Sequence, residues 1–234
     1  MRRHIALVGA VLLGAQALGA QVQTKQFDLG AHIGQQVFNK GTALENTPFV
    51  GLDATYQLPW NPLASLIKGS SFGVGMLFEV SRPVTRGDQF DAVAFDFGDT
   101  TFLYAVSQRV TLLQGGLEAV VGVPVGRMRV YGFAGTGVYS IFLDPRAVKR
   151  NEKFTNPMAT FGGGLNYPIN ASIGVRAQVR SVTFTNFDRS RLDAGLTYIR
   201  DQRIRDALPA ADPTSKNPTN MQFSFVFQYI PGGN

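Results

Sequence analysis

The segment 221–229 constrains the fold more than any other part of the sequence. Its odd-numbered positions carry large apolar side chains, whereas its even-numbered positions are polar except for Val226. A period of two is typical of a β-strand with one apolar and one polar face. Such a strand covers a soluble core or faces lipid, and the other segments must decide between these two arrangements. The apolar positions are Met221, Phe223, Phe225, Phe227 and Tyr229.

Alternation of the same kind recurs along the chain. Twenty-six glycines, eighteen phenylalanines and seven tyrosines stand beside only 16 % charged residues, a composition that suits many short strands better than helices. With 234 residues, no cysteine and no long Pro/Ser linker, the chain fits a single domain. Besides 221–229, the alternation predicts strands at about 27–38, 49–58, 72–81, 110–123, 129–142, 158–167 and 173–180.

Three connections between these strands need separate predictions. Segment 59–70 has Asn61 as N-cap, Pro62 at the first helical position and Gly69 beyond the end, which predicts a helix of about two turns. Segment 82–108 has no firm pattern, although 102–106 has strand character. Segment 185–220 mixes basic and acidic residues with three prolines and is predicted to be a long loop, with a short helix or strand near 196–208.

The first twenty residues resemble an export signal. Arg2 and Arg3 are followed by an apolar run over 5–18 and by small residues up to Ala20. We predict that 1–20 is a secretory signal peptide cut near Ala20, with 21–234 as the barrel domain. The run is shorter than the ~20 apolar residues of a spanning helix, and an uncleaved anchor is the alternative.

Charged residues on the polar strand faces decide which way the strands face. Eight strands can close into a barrel without free edges. A soluble lipocalin-type barrel has its apolar face inside, whereas an outer-membrane barrel has it outside. Charges at mid-strand that share a face with glycines fit a narrow interior, where opposite charges can pair. The predicted ion-pair network of the lumen is Asp53, Glu79, Glu118, Arg176 and Arg180.

The lengths of the connections support the same choice. The links near 125–128 and 168–171 are tight, the link at 59–70 is moderate, and those at 39–48, 82–109, 143–157 and 185–220 are mostly long. Short turns at one rim and long loops at the other are typical of outer-membrane barrels. Ten strands would destroy this asymmetry. The prediction is therefore an all-β, eight-stranded antiparallel up-and-down transmembrane β-barrel with short periplasmic turns and long extracellular loops.

These features together resemble the small outer-membrane β-barrel proteins of the OmpA/OmpX type, over about residues 22–230. The resemblance implies a location in the outer membrane of a Gram-negative bacterium. It also implies that Phe223, Phe225, Phe227 and Tyr229 form a C-terminal signal for the barrel-assembly machinery. Residues 230–234 extend past the final aromatic, where family members usually stop.

The outer surface is predicted to carry two further groups of residues. Basic residues of the long connections are candidates for contacts with lipopolysaccharide phosphates, namely Lys149, Arg150, Lys153, Arg200, Arg203 and Arg205.

In segment 129–142, Tyr131 and Phe133 are assigned to the outer face and Gly132 and Ala134 to the lumen. An aromatic girdle near the short turns is predicted to contain Tyr56, Trp60, Tyr131, Tyr167 and Tyr229.

Catalytic or cofactor chemistry finds little support in the sequence. His32 is the only histidine after the signal, and Asp28 lies roughly 13 Å away at four strand residues. One histidine and no cysteine predict no zinc or haem site, and no cofactor is expected. The charge of +6 is scattered rather than clustered on one face, which argues against nucleic acid.

We therefore predict a protein that is not an enzyme and has a structural or surface-interacting role. A narrow channel for ions or small solutes is the first alternative, since the lumen charges could form a gate. A soluble lipocalin-like carrier and a lipid hydrolase are the others. The sequence names no surface ligand.

Overall fold

The computed structural model describes residues 27–86, 93–96, 101–104, 107–144, 152–192 and 213–231. Within them no helix is both long and apolar enough to cross a membrane. Two short 3-10 turns occur at Lys40–Thr42 and Arg189–Leu192. The strands are β1 (Phe27–Val37), β2 (Thr47–Gln57), β3 (Ser71–Ser81), β4 (Val93–Asp96), β5 (Thr101–Tyr104), β6 (Arg109–Val125), β7 (Met128–Asp144), β8 (Glu152–Pro168), β9 (Ile173–Phe184) and β10 (Thr219–Tyr229).

Eight of these strands close into one antiparallel barrel. The order around it is β1, β2, β3, β6, β7, β8, β9 and β10, and β10 pairs back onto β1 from Leu29 with Tyr229 to Val37 with Met221. Closure leaves no free strand edge. The predicted eight-stranded up-and-down barrel is confirmed. Strands β4 and β5 form a separate hairpin inside the connection 82–108, so the strand near 102–106 exists but does not enter the barrel.

Burial alternates along the strands with the polar face inside. On β10 the side chains of Asn220, Gln222, Ser224, Val226 and Gln228 are buried, whereas Phe225 and Phe227 are 69 % and 67 % exposed. A soluble barrel has the opposite distribution, because water does not solvate a surface of phenylalanines favourably. Apolar side chains exposed on the outside include Leu29, Ile33, Leu52, Met76, Phe78, Leu117, Phe161 and Leu165.

Strand β7 corrects one prediction. Tyr131 and Phe133 point into the lumen, each 7 % exposed, so the assignment of Tyr131 to the outer girdle is wrong. The cause is the two-residue turn 126–127, which pairs even-numbered residues of β6 with odd-numbered residues of β7. Gly126 has a φ of 62°, as such tight hairpins require. Because Glu118 faces the lumen and opposite residues share a face, its partner Gly135 and the other odd residues of β7 face it too.

The connection 58–70 forms successive turns, and the predicted helix is absent. Asn61 acts as the expected cap, because its Oδ1 accepts a hydrogen bond from the Leu63 amide at 2.9 Å. Its Nδ2, however, donates to the Ser70 carbonyl at 2.7 Å and ties the start of the segment to its end. An isolated helix of two turns is only marginally stable. The hydrogen bond that joins the two ends of the segment therefore determines its conformation more than the capping residues do.

The connections fall on two rims of the barrel. One rim, called the turn rim, carries 58–70, 126–127 and 169–172. The other, called the loop rim, carries 38–46, 82–108, 145–151 and 185–218. The extra element proposed near 196–208 lies outside the described residues.

Candidate functional site: a layered lumen

The lumen changes in character from one rim to the other. Next to the turn rim lies an open polar cavity, called the vestibule. At mid-height lies the charged layer, which consists of His32, Asp53, Glu79, Glu118, Arg176 and Arg180. Next to the loop rim lies an apolar cluster, called the plug, which contains Phe38, Leu44, Val110, Leu112, Tyr139, Ile141, Leu143, Phe154, Met158, Val182, Phe184, Phe187 and Leu192.

The charged layer brings together all five charged residues of the predicted lumen set. Arg176 of β9 pairs with Asp53 of β2 across the lumen. Arg180, four residues further along β9, pairs with Glu79 of β3 and places its Nη2 3.2 Å from Glu118 Oε2. Each arginine therefore links strands that are distant in the sequence and on opposite walls of the barrel.

Neutral side chains complete the hydrogen bonding of the carboxylates. Gln222 Nε2 donates to Glu79 Oε2 at 2.8 Å, and Thr160 Oγ1 donates to Glu118 Oε1 at 2.9 Å. The side chains of Arg180 and Glu79 are only 3 % and 1 % exposed. Buried charges persist only when they are paired and hydrogen-bonded, so removal of one partner leaves the other at a high cost in free energy.

Aromatic rings of β7 support the two arginines. The Arg176 guanidinium lies 5.9 Å from the centre of the Tyr131 ring, and that of Arg180 lies 4.9 Å from the centre of the Phe133 ring. Cations at these distances are attracted by the negative face of the ring. The Tyr131 hydroxyl also donates to Gln178 Oε1 at 3.0 Å. Sequence reasoning missed this role, although the tight turn 126–127 contains the signal that places both rings inside.

His32 occupies the space between two carboxylates of the layer. Its Nδ1 lies 4.0 Å from Asp53 Oδ2 and its Nε2 lies 3.7 Å from Glu79 Oε1. Glycines make room for these side chains, because a Cβ on Gly51 would collide with the His32 ring and one on Gly30 with Arg176 and Asp53. The mixing of glycines with charges on one strand face, visible in the sequence, thus has a steric explanation.

The plug fills the lumen between the charged layer and the loop rim. Tyr139 and Phe184 stack with ring centres 4.2 Å apart, and Phe154 and Phe187 pack against them edge-on or tilted. The Tyr139 hydroxyl donates to the Thr185 carbonyl at 3.3 Å. Four plug residues come from the loop-rim connections, which therefore fold into the barrel opening. These four are Phe38, Leu44, Phe187 and Leu192.

The vestibule is open to solvent at the turn rim. It has a volume of about 350 Å³, and a smaller recess of about 40 Å³ extends inward to Arg176 and Tyr131. Its wall mixes apolar residues with polar side chains, among which Asn166 Nδ2 donates to Gln228 Oε1 at 2.7 Å. The only sequence-level sign of it is the polar character of the inward positions near this end of the strands.

The outward-facing residues of the predicted aromatic girdle and the described basic candidate lie at the two rims. Trp60, Tyr167 and Tyr229 are exposed at the turn rim, and Tyr56 is half-buried there. Phe223, Phe225 and Phe227 are exposed on the outer face of β10. Lys153 is exposed at the loop rim with its Nζ 4.9 Å from the centre of the Phe142 ring. The other basic candidates lie outside the described residues, namely Lys149, Arg150, Arg200, Arg203 and Arg205.

Metal-binding geometry is not seen in the described part of the chain, where no group of three or more His, Cys, Asp or Glu side chains could hold an ion. His32 lies inside the barrel and is 4 % exposed, and neither of its ring nitrogens has a hydrogen-bond partner among the described residues.

Several solved structures of bacterial proteins have a similar fold. Neisserial surface protein A is similar with a TM-score of 0.51 and 9 % identity over 87 % of this chain and 96 % of that one. Ail, the attachment invasion locus protein of Yersinia pestis, has a TM-score of 0.42 and 9 % identity over 87 % and 97 % of the two chains. The N-terminal barrel of Pseudomonas aeruginosa OprF has a TM-score of 0.37 and 11 % identity over 88 % and 98 %.

None of the curated proteins matches the chain. The family model described as outer membrane protein beta-barrel domain matches residues 5–199, which is most of the chain. This match agrees with the closed eight-stranded barrel, its apolar exterior and its charged interior. The chain therefore belongs to the outer membrane protein beta-barrel domain family and is a protein of the bacterial outer membrane.

Proposed function

We propose that this protein is a non-conducting outer-membrane barrel with a structural and surface-interacting role. The observation that carries the proposal is the filled lumen. An ion crossing the barrel meets first the charged layer, where Arg180 bridges Glu79 and Glu118, and then the plug, where Tyr139 and Phe184 are fully buried. Eight strands enclose an interior just wide enough for side chains to fill.

The two barriers act by different physics. Opening the charged layer separates buried ion pairs, which is costly in a low-dielectric interior. Opening the plug requires the loop residues Phe187 and Leu192 to leave a packed apolar cluster. Both barriers lie in series, so a conducting state would need both changes at once.

Conductance measurements in planar bilayers test this proposal. The barrel is refolded into detergent, and its folded state is checked by heat-modifiable gel mobility before insertion. We expect no discrete conductance steps from the unmodified protein at high salt. Steps of constant size that grow with salt concentration would establish the narrow-channel alternative instead.

Three exposed basic residues at the loop rim support a contact with lipopolysaccharide. Arg82 directly follows β3, Arg109 begins the neighbouring strand β6, and Lys153 lies on β8, which β7 separates from β6. Guanidinium and ammonium groups at this height would meet the phosphates of the outer leaflet, with which charge-assisted hydrogen bonds form. We propose these three residues, rather than the lumen, as the surface-interaction site.

Thermal unfolding with added lipid tests the contact. A ligand of the folded state raises the apparent unfolding temperature. We expect lipopolysaccharide to stabilise the protein more than dephosphorylated lipopolysaccharide, and the triple variant R82Q/R109Q/K153Q to lose that difference. The matched control is K68Q/R127Q, which removes two exposed charges at the turn rim. An unchanged difference in the triple variant would overturn the contact.

Assembly is proposed to start from β10. The backbone of β10 closes the barrel by pairing with β1, and its aromatic side chains face outward. We propose that the barrel-assembly machinery recognises Phe223, Phe225, Phe227 and Tyr229. Replacement of all four by alanine should reduce the amount of heat-modifiable protein in cells more than it reduces refolding of purified protein. Equal losses would argue against recognition.

The remaining alternatives agree less well with the geometry. A soluble carrier needs a polar outer surface, but the outer face of this barrel exposes large apolar side chains such as Phe225 and Phe227. A lipid hydrolase needs its histidine within reach of lipid, but His32 is enclosed by Asp53, Glu79 and Phe49 in the lumen. We therefore propose a non-enzymatic role.

A further inference from the structure

The vestibule is lined by one carboxylate, that of Asp28 on β1, and by two guanidinium groups, those of Arg127 in the turn 126–127 and Arg129 on β7. Among the described residues none of these three forms an ion pair, in contrast to every charged side chain of the charged layer. Opposite charges that line one cavity without meeting leave a carboxylate and a guanidinium to be satisfied by water or by a ligand.

Asp28 is a buried carboxylate supported by the side chains of Gln57 and Gln228 and, at longer range, by the charges of Arg176 and Arg129. It is only 7 % exposed, and Gln57 Nε2 donates to its Oδ2 over a long 3.4 Å. A carboxylate removed from bulk water is stabilised strongly by a cationic partner. The face of the vestibule near Asp28 therefore favours an ammonium group.

Arg129 offers the complementary half of the site. The aliphatic part of its side chain lies over Gly122, where a Cβ would come within 2.7 Å of Arg129 Cδ, so the glycine allows the side chain to enter the lumen. Deeper in the recess, the Nε of Arg176 is buried and has no hydrogen-bond partner among the described residues. Arg129 lies on β7, four strands around the barrel from β1, so its guanidinium favours a carboxylate on the opposite side of the cavity from Asp28.

Amide side chains complete the wall between the two charges. Asn166 and Gln228 are held by their mutual hydrogen bond, so each keeps further donor or acceptor capacity toward the cavity. The volume of about 350 Å³ accommodates a molecule of a few heavy atoms together with water. We propose that the vestibule binds a small zwitterion of the α-amino acid class, with its ammonium group at Asp28 and its carboxylate at Arg129.

A set of three small molecules tests the proposal on the unmodified protein. L-alanine carries both charges, whereas propionate and ethylamine each carry one of them on a similar carbon frame. Binding is followed in the refolded barrel by chemical-shift changes of the backbone amides of Asn166 and Gly174. We expect saturable shifts with alanine and affinities at least tenfold weaker for propionate and ethylamine. Propionate or ethylamine binding as tightly as alanine, or shifts that never saturate, would overturn the proposal.

Variants then locate the two halves of the site. D28N and R129Q should each weaken alanine binding about tenfold or more, while K40Q, at an exposed position of the opposite rim, leaves it unchanged. Heat-modifiable mobility checks the fold of each variant. If both vestibule variants fold and bind alanine as the unmodified protein does, the site is not the one proposed. Conductance plays no part in this test, so its outcome is separate from that of the non-conducting barrel.

Discussion

The two halves of the lumen are built from the same strands but differ in almost every physical respect. Near the loop rim, β8 and β9 contribute Phe154, Met158, Val182 and Phe184 to a dry cluster. Near the turn rim, the same two strands contribute Asn166 and Arg176 to an open, polar cavity. The charged layer separates these two regions. One half is therefore held by packing and the other by pairing of polar groups in contact with water.

This difference shows that strand alternation determines whether a side chain points into the lumen, but not whether water or other side chains surround it there. Every second residue points inward along the full length of β9, whether it is Arg176 or Phe184. What the inward residue contributes depends on its height in the barrel, and hence on whether water reaches it. The same type of substitution should therefore have different effects in the two halves.

The largest effect is expected from Arg180→Met. The change leaves Glu79 and Glu118 without their cationic partner in a region almost closed to water. Breaking a buried pair in this way costs about 4 kcal/mol. Urea unfolding of the refolded barrel, followed by gel mobility, measures the loss.

Arg176→Met is the matched comparison for this prediction. Arg176 also pairs with a carboxylate, Asp53, but it adjoins the vestibule, from which water can hydrate the carboxylate left behind. We expect clearly less destabilisation than in Arg180→Met. Equal losses of stability in the two variants would mean that water in the vestibule does not stabilise the unpaired carboxylate of Asp53.

A slightly smaller effect is expected from Phe184→Ala in the plug. Phe184 is fully buried against Tyr139, and replacement of such a ring by alanine costs about 3 kcal/mol. The control is Phe225→Ala on the outer face, where the side chain is 69 % exposed and lipid can fill the space. Denaturant midpoints that fall equally in both variants would show that the plug is not a packed core.

The smallest effect is expected from Asn166→Ala in the vestibule. Its hydrogen bond to Gln228 can be replaced by water, so the loss is about 0.5 kcal/mol. Gln222→Ala removes a hydrogen bond to the carboxylate of Glu79 in the charged layer and should cost about 2 kcal/mol. Both losses are measured by the same unfolding assay. A larger loss for Asn166→Ala than for Gln222→Ala would contradict the claim that water reaches the vestibule but not the charged layer.

The sequence predicted the barrel well because alternation and connection length are both local signals. It also identified Glu79 and Arg180, since charges at mid-strand are conspicuous. It misplaced Tyr131 because an aromatic ring suits lipid and a packed lumen equally well, and only the register across 126–127 decides between them. The plug was missed because Phe187 and Leu192 enter from a loop, where alternation gives no information.

The helix predicted at 59–70 fails for a related reason. Capping residues indicate only the local preference for a helix. The hydrogen bond from Asn61 to Ser70 also depends on the pairing of β2 with β3, which brings the two ends of the segment together. The vestibule likewise arises from the closure of distant strands, since Asp28 and Arg129 lie on β1 and β7. The relationship between Asp28 and Arg129 is not present in any single stretch of sequence.

Fluorescence quenching by brominated lipid tests the central claim most directly, namely that the apolar faces contact hydrocarbon while the other faces are enclosed. The chain has a single tryptophan, Trp60, so W60F provides a background without tryptophan. In that background F225W places the probe on the outer face and Y139W places it in the plug. We predict strong quenching of F225W and little quenching of Y139W in the same brominated bilayer. Quenching of Y139W equal to or stronger than that of F225W would contradict the account.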